Sequence, residues 1–318
     1  MLLLEKINNI PNWSLEHERN RWCDYIELQC LINVDNLISK DDIIMLFSEE
    51  GDSGQESHCK NYDKLCNYIE ALFDQINYRS KAIPLFYPFE YNEGCLRIKK
   101  EFDKNIFQYI FLLMASNLVF LDKSSATFIA KEFEEYCEIV FQYLVSQDSN
   151  VYIFGTSRDD GIFKGNLRTR IEKLADCFGA ETTKTFDMDK QFDVPGGDEG
   201  IDLVAFNKID DATHIPIALA QCTCSYEKWE IKQEEINQQA WNQKIMPLAP
   251  FGKYMFVSFF CREATGKFEN PATITTCLID RLRILKIIEK HNEEIYEIIN
   301  LEKQCNMIES FSGLSFVI

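Results

Sequence analysis

Apolar positions recur at helical spacing through the first half of the chain and give way to strand-like runs in the second. The segments 15–34, 40–49, 61–78, 102–121 and 124–146 each repeat apolar residues every three or four positions, which predicts five helices. In the last of them Phe133, Cys137, Val140, Phe141 and Leu144 form one stripe, and the acidic residues Glu132, Glu134, Glu135 and Glu138 read as a solvated face. A polar loop is expected at 51–57. The segment 83–93, with two prolines and several aromatics, reads as an irregular connection.

Near residue 150 the grammar changes, and the polar stretch 147–150 is the expected joint between an all-α domain (1–150) and a second domain (151–318). A short opening strand is expected at 151–154, followed by a loop rich in glycine and charge at 155–165. A helix over 166–178 carries Leu167, Ile171, Leu174 and Phe178 on one face, with Asn166 to cap it and Gly179 to end it. Strand-like sequence over 182–194 leads into the turn 195–200. Strands then follow at 201–206 and 215–224, a helix at 226–243, a buried strand at 253–260 and an amphipathic helix at 274–290. The expected order of the second domain is helix, three strands, helix, strand, helix, an α/β arrangement.

Composition narrows the function classes. An apolar share of 46% and an aromatic share of 13% suffice for packed cores. The net charge of −18 argues against tight unaided binding of nucleic acid, which normally uses a basic face. The acidity is spread along the chain, with 14 basic against 25 acidic residues up to Asn150 and 19 against 26 after it. Lys164, Arg168, Arg170 and Lys173 form a local basic rim that would face a phosphate backbone, and a partner subunit would supply more positive surface. The twelve cysteines are scattered without a CxxC pair and no signal-peptide pattern opens the chain, which predicts reduced thiols and a cytoplasmic protein. Cys23 with Cys30 and Cys59 with Cys66, each seven apart, read as buried helix-face thiols. Cys222 and Cys224 read as the inward face of a strand, and His58, His214 and His291 as loop or helix-end residues. The longest apolar run, 106–121, is interrupted by Gln108, Ser116 and Asn117 and predicts a buried helix, not a membrane span.

Chemistry concentrates in the second domain. If Asp202 stands opposite Gln221, the midpoint of the hairpin falls between Asp211 and Ala212, inside the loop-like segment 208–213, so the register is self-consistent. Alternation puts Asp202, Val204 and Phe206 on one face of their strand, and Gln221 and Thr223 on one face of theirs. A hard cation such as Mg²⁺ takes carboxylate, amide or main-chain oxygens at about 2.0 to 2.1 Å and keeps several waters. Asp202, Gln221 and the carbonyl of Cys222 are candidates to supply them. The string Gly196 to Gly200 resembles the nucleotide-holding signature of diguanylate cyclases but lacks its final phenylalanine and its flanking elements, so it reads as a tight turn into the Asp202 strand.

With these residues in this order, the stretch from about 155 to 290 resembles the PD-(D/E)xK nuclease superfamily, more closely its variant with glutamine at the second acidic position, as in restriction enzymes acting on modified DNA. The resemblance implies a restriction-endonuclease-like αβββαβ core, Asp202 as the metal-binding aspartate, Gln221 as the second ligand and Glu172 as the glutamate contributed by the preceding helix. It implies Mg²⁺ or Mn²⁺ as cofactor and in-line attack of water on a phosphodiester of DNA, with RNA as the alternative substrate, leaving a 5′-phosphate and a 3′-hydroxyl. The sequence departs from the family in the triplet Gln221-Cys222-Thr223, where threonine stands in place of the lysine. Lys228 and Lys232, one helical turn apart at the start of the next predicted helix, are the candidates to replace it, with Lys228 favoured. The helical half is expected to bind a protein partner or a second copy of the chain, as in nucleases of prokaryotic anti-phage defence. A catalytically inactive DNA-binding or scaffold subunit is the alternative reading.

Overall fold

The computed structural model describes residues 2–3, 6–7, 10–14, 17–51, 62–154, 161–193, 197–299, 306 and 309, with no side chains described for 48–51. His58, Cys59, most of the expected loops at 51–57 and 155–165, and residues 194–196 before the predicted turn lie outside them. The N-terminal region runs α1 (Arg19–Ile32), β1 (Leu37–Ser39), α2 (Lys40–Gly51), α3 (Tyr62–Ala82), β2 (Phe89–Asn92), β3 (Cys95–Ile98), α4 (Lys104–Ser116) and α5 (Lys123–Gln142). The side chains of Asp103 and Asp122 start α4 and α5 by accepting from backbone N–H groups of their first turns, as capping carboxylates do. Every residue of α4 from Ile106 to Ser116 is buried, which explains a helix apolar on all sides. Among the described residues no helix is long and apolar enough to cross a membrane.

The expectation of an all-α first half is corrected: β1, β3 and β2 form a three-stranded antiparallel sheet. Glu93 (φ 46°) and Gly94 (φ 81°) both take positive φ, as a two-residue hairpin turn of the primed type requires. Phe89 and Leu96 are buried, and Glu90 faces Arg97 across the exposed side. The alternation was present in the sequence, but four-residue strands beside two prolines give too short a period to stand out.

The C-terminal region is built on a five-stranded sheet in the order β10-β9-β7-β6-β4. Its strands are β4 (Asn150–Ile153), β6 (Leu203–Phe206), β7 (Ile217–Thr223), β9 (Gly252–Val257) and β10 (Cys277–Ile279). β6 runs antiparallel to both of its neighbours, β4 and β7, whereas β7, β9 and β10 run parallel. Helix α6 (Leu167–Cys177) has the predicted cap, since Asn166 accepts from the Thr169 N–H. The strand expected at 182–194 reduces to β5 (Glu181–Thr182), paired with β8 (Ile245–Met246). Beyond it Thr183 caps the short helix α7 (Lys184–Met188) and Asp189 caps a 3-10 turn, side-chain bonds that compete with strand pairing. The helix expected at 226–243 breaks into α8 (Trp229–Lys232), a 3-10 turn (Gln233–Glu235) and α9 (Gln238–Asn242), restarted by the Asn237 side chain. The segment expected as one helix at 274–290 is instead β10 followed by α10 (Arg281–Lys290), with Asp280 as the cap, and α11 (Asn292–Ile298) follows.

Two apolar clusters sandwich the sheet. On one face Ile153, Leu203, Ala205, Ala220 and Phe256 join the N-terminal helices in a core that extends from Leu2 to Ile299. Helix α5, which precedes residue 150, packs across β4, β6 and β7 on that side. On the other face Val204, Phe206, Ile217 and Leu219 pack against α6 and Trp241 of α9. The helix leading into the sheet is therefore α5, and α6, expected in that place, is an insertion between β4 and β6.

A cluster of fully buried charges ties these parts together. Asp24 of α1 receives Arg79 of α3 at 2.7 Å and Arg281 of α10 at 2.8 Å, all three side chains without exposure. Ser116 and Tyr226 donate hydroxyls to Asp24 at 2.6 and 2.8 Å, and Tyr87 and Tyr109 donate to the neighbouring Glu27 at 2.9 and 2.6 Å. Burial by itself would raise the Asp24 carboxyl, but Arg281 and Arg79 hold it below its ordinary range. Removing one member leaves the others buried and unpaired. Asp24→Ala is therefore expected to lower unfolding free energy by about 3 to 5 kcal/mol in chemical denaturation; a loss below about 1 kcal/mol would contradict the role given to this cluster.

Candidate metal centre

The β6–β7 register pairs Leu203 with Ala220, which extends to Asp202 opposite Gln221, the alignment predicted from the hairpin midpoint. Asp202 sits one residue before β6, where the regular ladder ends. Its N–H donates to the Ala220 carbonyl at 2.9 Å, and its own carbonyl accepts from Phe154 at 2.7 Å. Its carboxylate oxygen Oδ2 accepts the Cys222 N–H at 2.6 Å. Burial pushes the Asp202 carboxyl up to about 8; the nearby charge of Glu134 adds to this, as Asp198 does more weakly, while the Cys222 N–H and Lys232 oppose it.

Gln221 lies on β7 with its Nε2 donating to Glu235 Oε2 at 2.6 Å. Its Oε1 is buried without a hydrogen-bond partner. An orphaned amide oxygen in the interior is costly unless something of opposite polarity stands beside it. Thr223 ends the strand, and Lys232 Nζ approaches its Oγ1 at 3.5 Å. Alternation carries Gln221 and Thr223 to the face of Leu219, toward α8 and the following turn, where Glu235 and Lys232 meet them.

The other residues singled out in the sequence fall elsewhere. Glu172 is exposed on α6, where its charge acts on Arg168. The helical glutamate whose charge reaches Asp202 is Glu134 of α5. Lys228 lies outside α8 in a left-handed conformation (φ 59°) and is exposed, so it is Lys232 that reaches the strand end. The Cys222 backbone serves the Asp202 carboxylate, and its free thiol lies beside that of Cys137 on α5. The basic rim is also corrected. Arg168 pairs with Asp193 at 2.5 Å, and Arg170, 1% exposed, donates to the Phe154 and Gly197 carbonyls, leaving Lys164 and Lys173 exposed. Sequence reasoning missed Glu134 and Glu235. Glu134 precedes Cys137 of the apolar stripe by three positions, a spacing that places it at the margin of the packed face.

The donor set is one carboxylate, one amide oxygen and main-chain carbonyls, all hard oxygens that suit Mg²⁺ or Mn²⁺. Among the described residues no group of three or more His, Cys, Asp or Glu side chains gathers at metal-holding distance. A cation beside Asp202 would thus keep most of its waters, as Mg²⁺ commonly does. The orphaned Gln221 oxygen and the raised Asp202 carboxyl both fit such a cation, which would give the one a partner and favour ionisation of the other.

A separate pocket of about 160 Å³ opens at the carboxyl ends of β7 and β9, between Asn20, Arg21, Tyr226, Trp229, Phe259 and Glu269. Tyr226 stacks on Phe259 at 3.9 Å. Burial pushes the Glu269 carboxyl from 4.5 up to about 7, against Arg19 and Arg79 and the Asn20 amide that donates to it at 2.8 Å. Compared with family models, with curated proteins and with solved structures, the chain matches none of them.

The Glu269 carboxyl favours the fold while protonated, because its folded value lies above its ordinary one, and that contribution fades as pH rises from 4.5 through about 7. Glu269→Gln keeps an acceptor for Asn20 and cannot ionise. Its thermal midpoint is expected to exceed that of the wild type at pH 8 and to match it at about pH 4, below the ordinary carboxyl value; equal midpoints at both would contradict the assignment.

Proposed function

We propose that this chain is a metal-dependent phosphodiesterase of the PD-(D/E)xK type in its glutamine variant, acting on DNA. The observation that carries the reading is the buried, unpartnered oxygen of Gln221 beside the raised carboxyl of Asp202, with the Lys232 ammonium at the end of the same strand. The order of elements supports it: α5, then β4, β6 and β7 antiparallel in succession, then the α8–α9 segment, then β9 parallel to β7 follows the αβββαβ succession, with α6, β5 and α7 inserted between β4 and β6 and β8 before β9. On this reading α5 supplies the glutamate of the leading helix as Glu134, and Lys232 takes the place of the lysine that Thr223 displaces.

Asp202, the Gln221 oxygen and the Cys222 carbonyl would hold a Mg²⁺ or Mn²⁺ ion. Such an ion, when bound, makes water more acidic and offsets charge on phosphate oxygens. The chain's own contribution is positional and electrostatic. The Cys222 N–H fixes one oxygen of Asp202 and leaves the other for the ion. Lys232 brings a positive charge, absent from Thr223, to where charge develops on the phosphate. The net charge of −18 assigns most of the substrate grip to a partner subunit or a second copy, the arrangement expected of an anti-phage effector.

Thr223 and the internal use of Arg168 and Arg170 favour a second reading, an inactive nuclease-fold scaffold or DNA-binding subunit. Incubating the protein with plasmid DNA and with RNA, in Mg²⁺, Mn²⁺ or chelator, separates the two. The enzyme reading expects cleavage that chelator stops, that Asp202→Asn abolishes and that Lys232→Met slows by about 10² to 10³-fold. Cleavage by Asp202→Asn at the wild-type rate would remove the assignment, and no cleavage with any metal would leave the scaffold reading.

A further inference from the structure

We infer that Glu235 is a positioning residue that decides which way round the Gln221 amide stands, so that the amide oxygen and not its NH₂ group is offered to a cation beside Asp202. This rests on the metal reading above. An amide presents oxygen and NH₂ on nearly superimposable sides, and a half-turn exchanges them. A carboxylate only accepts hydrogen bonds. Its contact with Gln221 at 2.6 Å is therefore compatible with the nitrogen side alone, because the flipped amide would press oxygen against oxygen. The Oε1 atom is thereby committed to the other side, where it is buried and has no partner.

The need for such a device follows from the residue at this position. A carboxylate at 221 would present oxygen in either orientation. Glutamine binds a cation in one orientation and repels it in the other, so an acceptor fixed behind it settles the choice. Glu235 is itself held on both sides. Gln233, with no exposure, anchors the turn by donating to the Thr273 carbonyl at 3.1 Å and accepting from the Thr275 N–H at 3.1 Å and the Thr276 hydroxyl at 2.8 Å. Ile236 is fully buried. Gly200, at φ +75° and two residues before Asp202, lets the Glu235 backbone close in; a Cβ there would stand 2.5 Å from Glu235 Cβ. The acceptor and the metal-binding strand thus share one rigid junction.

The test is the Mn²⁺ dissociation constant of the full chain, measured by titration calorimetry without substrate. Glu235→Ala is expected to weaken Mn²⁺ binding by about tenfold, the usual effect of losing a group that orients a ligand. The exchanged pair Q221E/E235Q, in which an amide at 235 donates to a carboxylate at 221, is expected to bind Mn²⁺ at least as tightly as the wild type. Binding by Glu235→Ala within about twofold of wild type, with Asp202→Asn having lost it, would overturn the positioning role and leave the metal reading standing. If the wild type takes up no Mn²⁺, or Asp202→Asn takes it up equally, the metal reading fails and this inference with it. Should Glu235→Ala not fold, Glu235→Gln decides, because an amide at 235 can accept from or donate to Gln221 and no longer fixes its sense: Mn²⁺ binding weakened about tenfold supports the role, and binding within about twofold of wild type overturns it.

Discussion

The contact on which the site depends is the one between the Asp202 carboxylate and the Cys222 amide, 2.6 Å long, made where the β6–β7 ladder ends. A side chain here takes up a backbone donor of the neighbouring strand. That holds a carboxylate in the interior, beside the charge of Glu134, although burial raises its affinity for a proton. Such a group is costly in a purely structural role, since an asparagine would accept the same N–H without ionising. Sites that handle cations and protons are where arrangements of this kind collect.

What holds the surrounding frame is a second set of buried charges. Asp24 and Glu27 lie on α1, Arg79 on α3 and Arg281 at the first turn of α10, just beyond the edge strand β10. Tyr226, three residues beyond Thr223, donates to the same Asp24. The end of β7 is therefore anchored to the N-terminal helices through one hydroxyl, and α5 covers the opposite face of that strand. A change among the N-terminal helices has a short physical path to the site, through this cluster and through Glu134.

The hairpin register was legible in the sequence because strand side chains alternate with a period of two, so a loop midpoint leaves little freedom in which residues face each other. The helices of the first half were legible from their stripes. Residues whose place depends on a break in regular structure were not. Lys228 and Lys232 look equivalent only if a helix already runs through both, and the left-handed turn at Lys228 starts that helix one residue too late. Glu172 followed from taking α6 as the leading helix. The true leading helix, α5, stood on the other side of an expected boundary at residue 150, so the acidic face of Glu132 to Glu138 was read as solvated although Glu132 is buried and Glu134 is half-buried. The hairpin β2–β3 was hidden by its brevity, and 182–194 by capping residues that do not alter apolar periodicity.

The central claim is that one oxygen of Asp202 and the amide oxygen of Gln221 hold a divalent cation between them. Diffraction from crystals soaked in Mn²⁺, collected at a wavelength where manganese scatters anomalously, tests it most directly. The account predicts a single strong anomalous peak within about 2.0 to 2.3 Å of Asp202 Oδ1 and Gln221 Oε1. A peak only at surface carboxylates, or none with Mn²⁺ in large excess, would contradict it.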